Sequence, residues 1–168
     1  MRDASQATTP DPSDFRRLMS RFATGVCVVA LEMGDDRIAA MTINSFVSVS
    51  LEPLLVSWSL HNSSSQFDLF AGAAAYSISI LSSEQGDQAQ RYAARGDSLM
   101  RAEDFVVSAG GLPVIAGALG HFECRAWSTY EAGDHTMIFG EVTGLAQREE
   151  GGARGLGFYD GTFHAVPG

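Results

Sequence analysis

The chain has 168 residues, a net charge of −9 and a hydrophobic content of 45%, which is typical of one soluble globular domain. This acidity argues against binding to nucleic acid or to an anionic membrane surface, since both require clustered basic residues. All 11 basic residues are arginines, so Schiff-base chemistry and a P-loop lysine are excluded. No apolar run approaches the roughly 20 residues of a membrane span, and the N-terminus does not resemble a signal peptide, so we expect a cytoplasmic protein.

The N-terminal region is predicted to form a tail followed by a helix. Residues 1–11 are polar and contain proline, so we expect a disordered tail before a single domain over residues 12–168. Residues 12–23 place apolar side chains at helical spacing, and Ser13 is a suitable N-cap. This pattern predicts an amphipathic helix.

The rest of the chain is dominated by strand patterns. We predict strands over residues 26–31, 37–42, 54–60, 76–81, 118–131, 136–147, 156–159 and 162–166. The segment 76–81 alternates with period two and is expected to be half-buried, whereas residues 96–113 show no pattern and are expected to be irregular. Gly133 and Asp134 form a predicted hairpin tip. Strands at hairpin spacing with few helices favour an antiparallel barrel.

Two further helices are predicted between the strands. Residues 65–71 have a helical apolar stripe, with Ser64 or Ser65 as the cap. Residues 82–95 contain helix formers behind a capping box that begins at Ser82.

A polar insert separates two strand-like runs within residues 40–60. It supplies short side-chain donors and acceptors beside backbone amides, from Thr42, Asn44, Ser45, Ser48 and Ser50. With Phe46 as an apolar wall, such groups suit an anionic, planar ligand. The alternative is a corner in which the hydroxyls only satisfy the turn backbone.

The cysteines and histidines give no metal-site pattern. Cys27 and Cys124 lie in apolar runs without metal or redox spacing, so we expect buried free thiols. No metal is predicted, and His61, His121 and His164 are assigned no role.

Five segments, in order, resemble the short-chain flavin reductase family. They are FRRLMSRFATGVCVV, MTINSFVSVSLEPLLV, SSSQF, AGDHTMIFGEV and FYDGTFH. Members of this family are NAD(P)H:flavin oxidoreductases that supply reduced flavin to two-component monooxygenases. The resemblance implies a mainly β fold, an antiparallel Greek-key split β-barrel with a few flanking helices. It also implies a homodimer with a monooxygenase partner.

The resemblance further implies a set of site residues. The flavin, FMN or FAD, would be lined by Thr42, Ile43, Asn44, Ser45, Phe46, Ser48 and Val49. Its phosphate would be held by Ser63, Ser64 and Ser65 with the following helix N-terminus, and Arg95 would reach a phosphate or the adenine. Asp134 and the catalytic His135 would lie beside the nicotinamide, although a hairpin tip of this sequence is also ordinary turn chemistry. Phe158 and Tyr159 would flank the flavin or the stacked dinucleotide.

Several alternatives stay open. The sequence does not distinguish FMN from FAD. The 2′-phosphate of NADPH would require a nearby arginine, so the scarcity of basic residues weakly favours NADH over NADPH. A flavoprotein that retains its flavin for another substrate, and a non-catalytic flavin-binding module, are both compatible with the fold. Three features depart from the family pattern. Asp160 replaces a common basic residue, Trp58 lies in the strand that enters the phosphate loop, and the low basic content indicates modest affinity for free dinucleotide.

Overall fold

The computed structural model describes residues 9–94, 99–149 and 152–166. Its three α-helices are α1 (Pro12–Met19), α2 (Phe67–Ala71) and α3 (Gly86–Ala93). Its strands are β1 (Thr24–Gly25), β2 (Cys27–Gly34), β3 (Arg37–Ile43), β4 (Val47–Leu51), β5 (Leu54–His61), β6 (Ala75–Ile80), β7 (Phe105–Val107), β8 (Pro113–Ile115), β9 (Gly120–Ala132), β10 (His135–Gln147), β11 (Leu156–Tyr159) and β12 (Thr162–Ala165). No helix in the described ranges is long and apolar enough to cross a bilayer. Residues 1–8 of the predicted tail, and Arg95, lie outside these ranges.

The main sheet has seven antiparallel strands in the order β3-β2-β6-β9-β10-β5-β4. In a flat sheet its two edge strands would lie roughly 29 Å apart, because neighbouring strands are spaced about 4.8 Å apart. However, β3 ends at Ile43 and β4 begins at Val47, a stretch of chain that spans at most about 14 Å. The sheet must therefore curl until residues 44–46 bridge its edges. The predicted split barrel is confirmed, and this bridge crosses the split.

The first helix begins at Pro12, as predicted, but its predicted N-cap, Ser13, and its predicted end are wrong. The N-cap is Asp11, whose Oδ1 accepts a hydrogen bond of 2.7 Å from the Ser13 amide, and α1 ends at Met19. Pro12 explains the start, since proline favours the first helical position and leaves the preceding residue to cap. The apolar side chains of α1 are not in the core: Phe15 is 63% and Leu18 72% exposed.

The other two helices begin later than predicted. The helix α2 has five residues and begins after Gln66, with no side-chain cap, so Ser64 and Ser65 are not its N-cap. The Oε1 atom of Gln85 does accept a hydrogen bond of 2.9 Å from the Ser82 amide. This bond closes the turn that precedes α3 rather than the first turn of the helix itself.

Strand β6 is buried on both faces instead of being half-buried. Its serines are satisfied by a small sheet of β7 and β8. β7 lies within the segment predicted to be irregular, and β8 begins at the last residue of that segment. Ser77 Oγ donates to the Pro113 carbonyl, and Ser79 Oγ accepts from the Ile115 amide at 3.0 Å. These two serines can therefore face inward, because each of their buried hydroxyls has a partner, whereas the buried Tyr76 hydroxyl of the same strand has none among the described residues.

Both cysteines are buried free thiols, as predicted. Burial raises the pKa of Cys27 to about 12, and burial together with the nearby Glu123 carboxylate raises the pKa of Cys124 to about 12. Because the thiolate is the nucleophile, we expect neither thiol to react with a thiol-specific disulfide reagent in the native protein at pH 8. Both should react in guanidinium chloride. Rapid modification of either cysteine before unfolding would contradict the packing described here.

Candidate functional site

Two clefts meet at the bridge across the split of the barrel. The serine cleft has a volume of about 520 Å³ and is lined by residues 41–45, 59–61, 63–66 and 92–94. The helix cleft has a volume of about 690 Å³ and is lined by residues 15–16, 19–20, 22–25, 44–47, 158 and 161. Asn44 and Ser45 line both. The clefts are of the size of small-molecule sites, so adjoining ligands could meet at this bridge.

The bridge is held in place by side chains that the sequence predicted to face a ligand. Ser45 Oγ accepts from the Ser59 amide at 3.0 Å and donates to the Ser59 carbonyl at 3.4 Å. Thr42 Oγ1 donates to the Ala89 carbonyl of α3 at 2.7 Å. These two hydroxyls therefore shape the cleft, and Asn44 is left exposed between the two clefts.

Apolar walls flank the bridge on both sides. Ile43 is buried and lines the serine cleft. Phe46 lines the helix cleft and packs on Phe122, with ring centroids 5.5 Å apart. The far wall of the serine cleft is α3, whose Tyr92 hydroxyl donates to Asp104 Oδ2 at 2.5 Å. The site thus combines flat apolar surfaces with short polar groups.

The predicted phosphate-holding serines do lie together in the serine cleft. Ser63, Ser64 and Ser65 form the loop between β5 and α2. The Ser64 amide donates to the His61 carbonyl at 2.9 Å, and the Phe67 amide donates to the Ser64 carbonyl at 3.0 Å. Because α2 has only five residues and its first amide is already bonded, we expect the serine loop rather than the helix to supply the donors.

The tip of the β9–β10 hairpin brings Asp134 and His135 to the lip of the serine cleft, against His61. Asp134 Oδ1 lies 2.8 Å from His135 Nδ1, and Asp134 Oδ2 lies 3.7 Å from His61 Nε2. The two imidazole rings meet edge to face, with centroids 4.8 Å apart. The hydrogen bond to His135, followed by the charges of both imidazoles, lowers the pKa of Asp134. Its carboxylate is therefore ionised at neutral and mildly acidic pH.

No role is assigned to His61 from its sequence context, yet the structure places it in this cluster. His61 is the last residue of β5 and pairs directly with His135, the first residue of β10. Asn62 fixes the same corner, because its amide donates to the Asp134 carbonyl at 2.9 Å and its Oδ1 accepts from Thr136 at 2.8 Å. Only the pairing of β5 with β10 could have revealed this, and no local pattern specifies that pairing.

The C-terminal hairpin contributes to the helix cleft. Phe158 lines the cleft and packs on Phe163 at a centroid distance of 5.5 Å, while Tyr159 is partly exposed beside it. A hydrogen bond to Tyr159, followed by the charge of Asp160, raises the pKa of Arg21. Asp160 thus faces a cation supplied by the segment after α1, which gives a physical reason for an acidic residue at this turn.

Among the predicted site residues that the structure describes, those that line neither cleft are Ser48, Val49, Asp134, His135 and Tyr159. Ser48 and Val49 lie on the edge strand β4, where Val49 is the extra residue of a bulge and is 47% exposed. Arg95 is outside the described ranges, next to Ala94 of the serine cleft. Within those ranges, no group of three His, Cys, Asp or Glu side chains could hold a metal ion.

Comparison with known proteins supplies the family. The sequence model described as "Flavin reductase like domain" matches residues 19–167, almost the whole chain. The chain belongs to the flavin reductase family. The reductase named FMN reductase (NADH) SmoA, from Agrobacterium fabrum, is 42% identical over 138 residues, covering 80% of this chain and 76% of SmoA. A flavin reductase of Pseudomonas putida is 32% identical, covering 91% of this chain and 89% of that protein.

The fold of this flavin reductase also matches a solved relative. The NADH:FAD oxidoreductase SgcE6 of Streptomyces globisporus, in complex with NAD and FAD fragments, has a TM-score of 0.84 and 33% identity. The match covers 96% of this chain and 98% of that one. The donor set of the serine cleft fits a flavin, since it offers hydroxyls and amides for a ribityl phosphate beside an apolar wall for a ring.

Proposed function

We propose that this flavin reductase transfers a hydride from NADH to FMN or FAD and supplies the reduced flavin to a partner monooxygenase. The observation that carries the proposal is the meeting of two clefts at Asn44 and Ser45. Two planar cofactors must approach closely for hydride transfer, and adjoining clefts allow this. The names of SmoA and SgcE6 support NADH as the donor and FMN or FAD as the acceptor.

The monooxygenase partner is supported by other relatives. One, from Acinetobacter baylyi, is named the reductase component of a flavin-dependent trigonelline monooxygenase and is 33% identical to this chain. The chain spans 47% of that protein's length, so about half of that protein bears on the comparison. The proposal includes the cytoplasmic location predicted from the sequence.

In this proposal the serine cleft holds the flavin and the chain's own residues orient it. Ser63, Ser64 and Ser65 would hold its phosphate, and Ile43 would form an apolar wall. When bound, the flavin supplies the hydride-accepting chemistry, so the protein needs no acid–base machinery of its own for that step. Amides along the bridge can stabilise negative charge on the ring. The pair of Asp134 and His135 would position the nicotinamide at the lip of the cleft.

We also propose a homodimer, because apolar side chains of α1 and β4 are exposed to water, which is unfavourable in free energy, and a second copy would bury them. Leu18 of α1 and Val49 and Leu51 of β4 are exposed in the single chain and line neither cleft. Exposed apolar patches of this kind mark interaction sites in soluble proteins. Light scattering coupled to gel filtration should give twice the 17.9 kDa mass of one chain. A monomer at micromolar concentration would contradict this part of the proposal.

The decisive experiment is NADH oxidation by the purified protein, followed by absorbance with and without added FMN, FAD or riboflavin. We expect oxidation that depends on added flavin and saturates with it. Oxidation without added flavin would show that the protein retains its flavin and acts on another substrate. Flavin binding without NADH oxidation would contradict the proposed reductase activity.

A further inference from the structure

His61 controls two hydrogen-bond donors of the serine loop. The Ser63 amide donates to His61 Nδ1 at 3.0 Å, and the Ser63 hydroxyl lies 2.9 Å from the same nitrogen. A nitrogen that accepts a hydrogen bond from an amide carries no proton. Neutral His61 therefore carries its proton on Nε2, the nitrogen that faces Asp134 Oδ2 at 3.7 Å. In this form His61 occupies both donors of Ser63, and neither is available to a ligand.

Protonation of His61 reverses this arrangement. An imidazolium has a proton on both ring nitrogens, so Nδ1 can no longer accept from Ser63. The Ser63 amide is released, and the Nδ1 proton is added to the donors at the loop. A positive charge also appears in a cleft whose other described lining residues carry no charged side chain. Histidine is the side chain whose charge changes between pH 5 and 8.

Three titratable or charged groups lie around His61 in the part of the chain that the structure describes. Asp134 and His135 face it from the hairpin tip, and Tyr92 is the other titratable residue that lines the cleft. Asp134 is ionised over the whole range and lies nearest to Nε2, so Nδ1 is the nitrogen left for the serine loop. A phosphate needs both donors and positive charge, and charge-assisted hydrogen bonds are its strongest contacts.

We propose that His61 is a phosphate-binding residue, and that its protonated form holds the flavin phosphate together with the Ser63 donors that it releases. This inference rests on the proposed flavin site in the serine cleft. It makes affinity for a phosphorylated flavin increase as the pH falls, whereas riboflavin, which lacks the phosphate, is unaffected by this residue's charge. His61 would thus set the preference of the site among flavins.

The test compares the wild type with His61→Asn, without NADH. Asparagine can accept the Ser63 amide two residues on, as in an Asx-turn, but it does not titrate. The dissociation constants of FMN and riboflavin are measured at pH 8 and pH 6 by quenching of flavin fluorescence. The ratio of the FMN constants, variant over wild type, should rise about threefold to tenfold from pH 8 to pH 6. The second ionisation of the phosphate itself, near pH 6, affects both proteins and cancels in the ratio.

The controls distinguish this inference from the proposed function. His121→Asn alters a histidine at the far end of the β9–β10 hairpin. For this variant, the ratio of FMN dissociation constants, variant over wild type, should be the same at pH 8 and pH 6. For His61→Asn, the corresponding ratio of riboflavin dissociation constants should also not change between pH 8 and pH 6. An FMN ratio that does not change with pH, or a riboflavin ratio that changes equally, would overturn the role of His61 while leaving the flavin site intact. A wild type that binds no flavin would overturn the proposed function and this inference together.

Discussion

Replacing Gly140 with alanine is expected to lower the free energy of unfolding by about 2–3 kcal/mol, the upper part of the range for overpacked cores. An alanine Cβ at this position of β10 would lie 2.3 Å from Tyr76 Oη and 3.1 Å from Cys124 Cβ. Tyr76 is buried beside Trp58, with ring centroids 6.0 Å apart, so its ring has no open space to enter. Denaturant unfolding followed by fluorescence measures the loss.

Two variants test the cause of this loss. Gly86→Ala places a Cβ in open space at the first residue of α3, so it should be neutral or stabilise by up to about 1 kcal/mol. Tyr76→Phe removes the hydroxyl that the new Cβ would meet. Gly140→Ala should therefore cost much less in a Tyr76→Phe background. An unchanged cost in that background would show that the hydroxyl is not the obstacle.

The second large effect is expected at the lip of the serine cleft. His135→Ala should raise the KM for NADH about fivefold, because a lost hydrogen bond to the nicotinamide is worth about 1 kcal/mol and 1.4 kcal/mol is a factor of ten. Flavin affinity should change less, since His135 lies at the hairpin tip and not in the serine loop. Steady-state NADH oxidation at saturating flavin, with a separate flavin titration, measures both quantities.

His121→Ala is the matched control for this prediction. His121 lies on the same hairpin but pairs with Ala146, at the end away from the tip. Its substitution should leave the KM for NADH unchanged. If His135→Ala also leaves that KM unchanged, or weakens flavin binding as strongly as NADH use, the nicotinamide role of His135 is wrong.

Local patterns in the sequence predict most of the strands, because alternation and turn residues are properties of short segments. The long hairpin and the C-terminal hairpin are confirmed, with Gly133 at φ 70° and Gly161 at φ 79° in their turns. β7 and β8 carried no such pattern and were missed. β1 and β4 were missed as well, because a helix end and a polar ligand-binding insert were predicted there. The burial of both faces of β6 was also missed. The hydroxyls of Ser77 and Ser79 bond to backbone groups of β8, which are 36 residues away in the chain.

The candidate site was also predictable only in part: the sequence identifies its segments but not the contacts between them. The motif segments identify the bridge, the serine loop and the hairpin tip, and the structure places all three around two adjoining clefts. The sequence does not show that Ser45 and Thr42 are occupied by backbone bonds, because their partners come from β5 and α3. Nor does it show that His61 meets His135, which depends on the register between β5 and β10.

The bridge across the split also bears on how the barrel opens. Within the described residues, β3 pairs only with β2 and β4 pairs only with β5, apart from one isolated bridge between Ala39 and Leu99. The edges can therefore separate away from residues 44–46, which join them at one end, without breaking a continuous ladder. This is the type of local opening that amide hydrogen exchange detects. A ligand seated at this bridge binds the closed barrel and not the opened one. By mass action, the concentration of free flavin would then set how often the barrel opens.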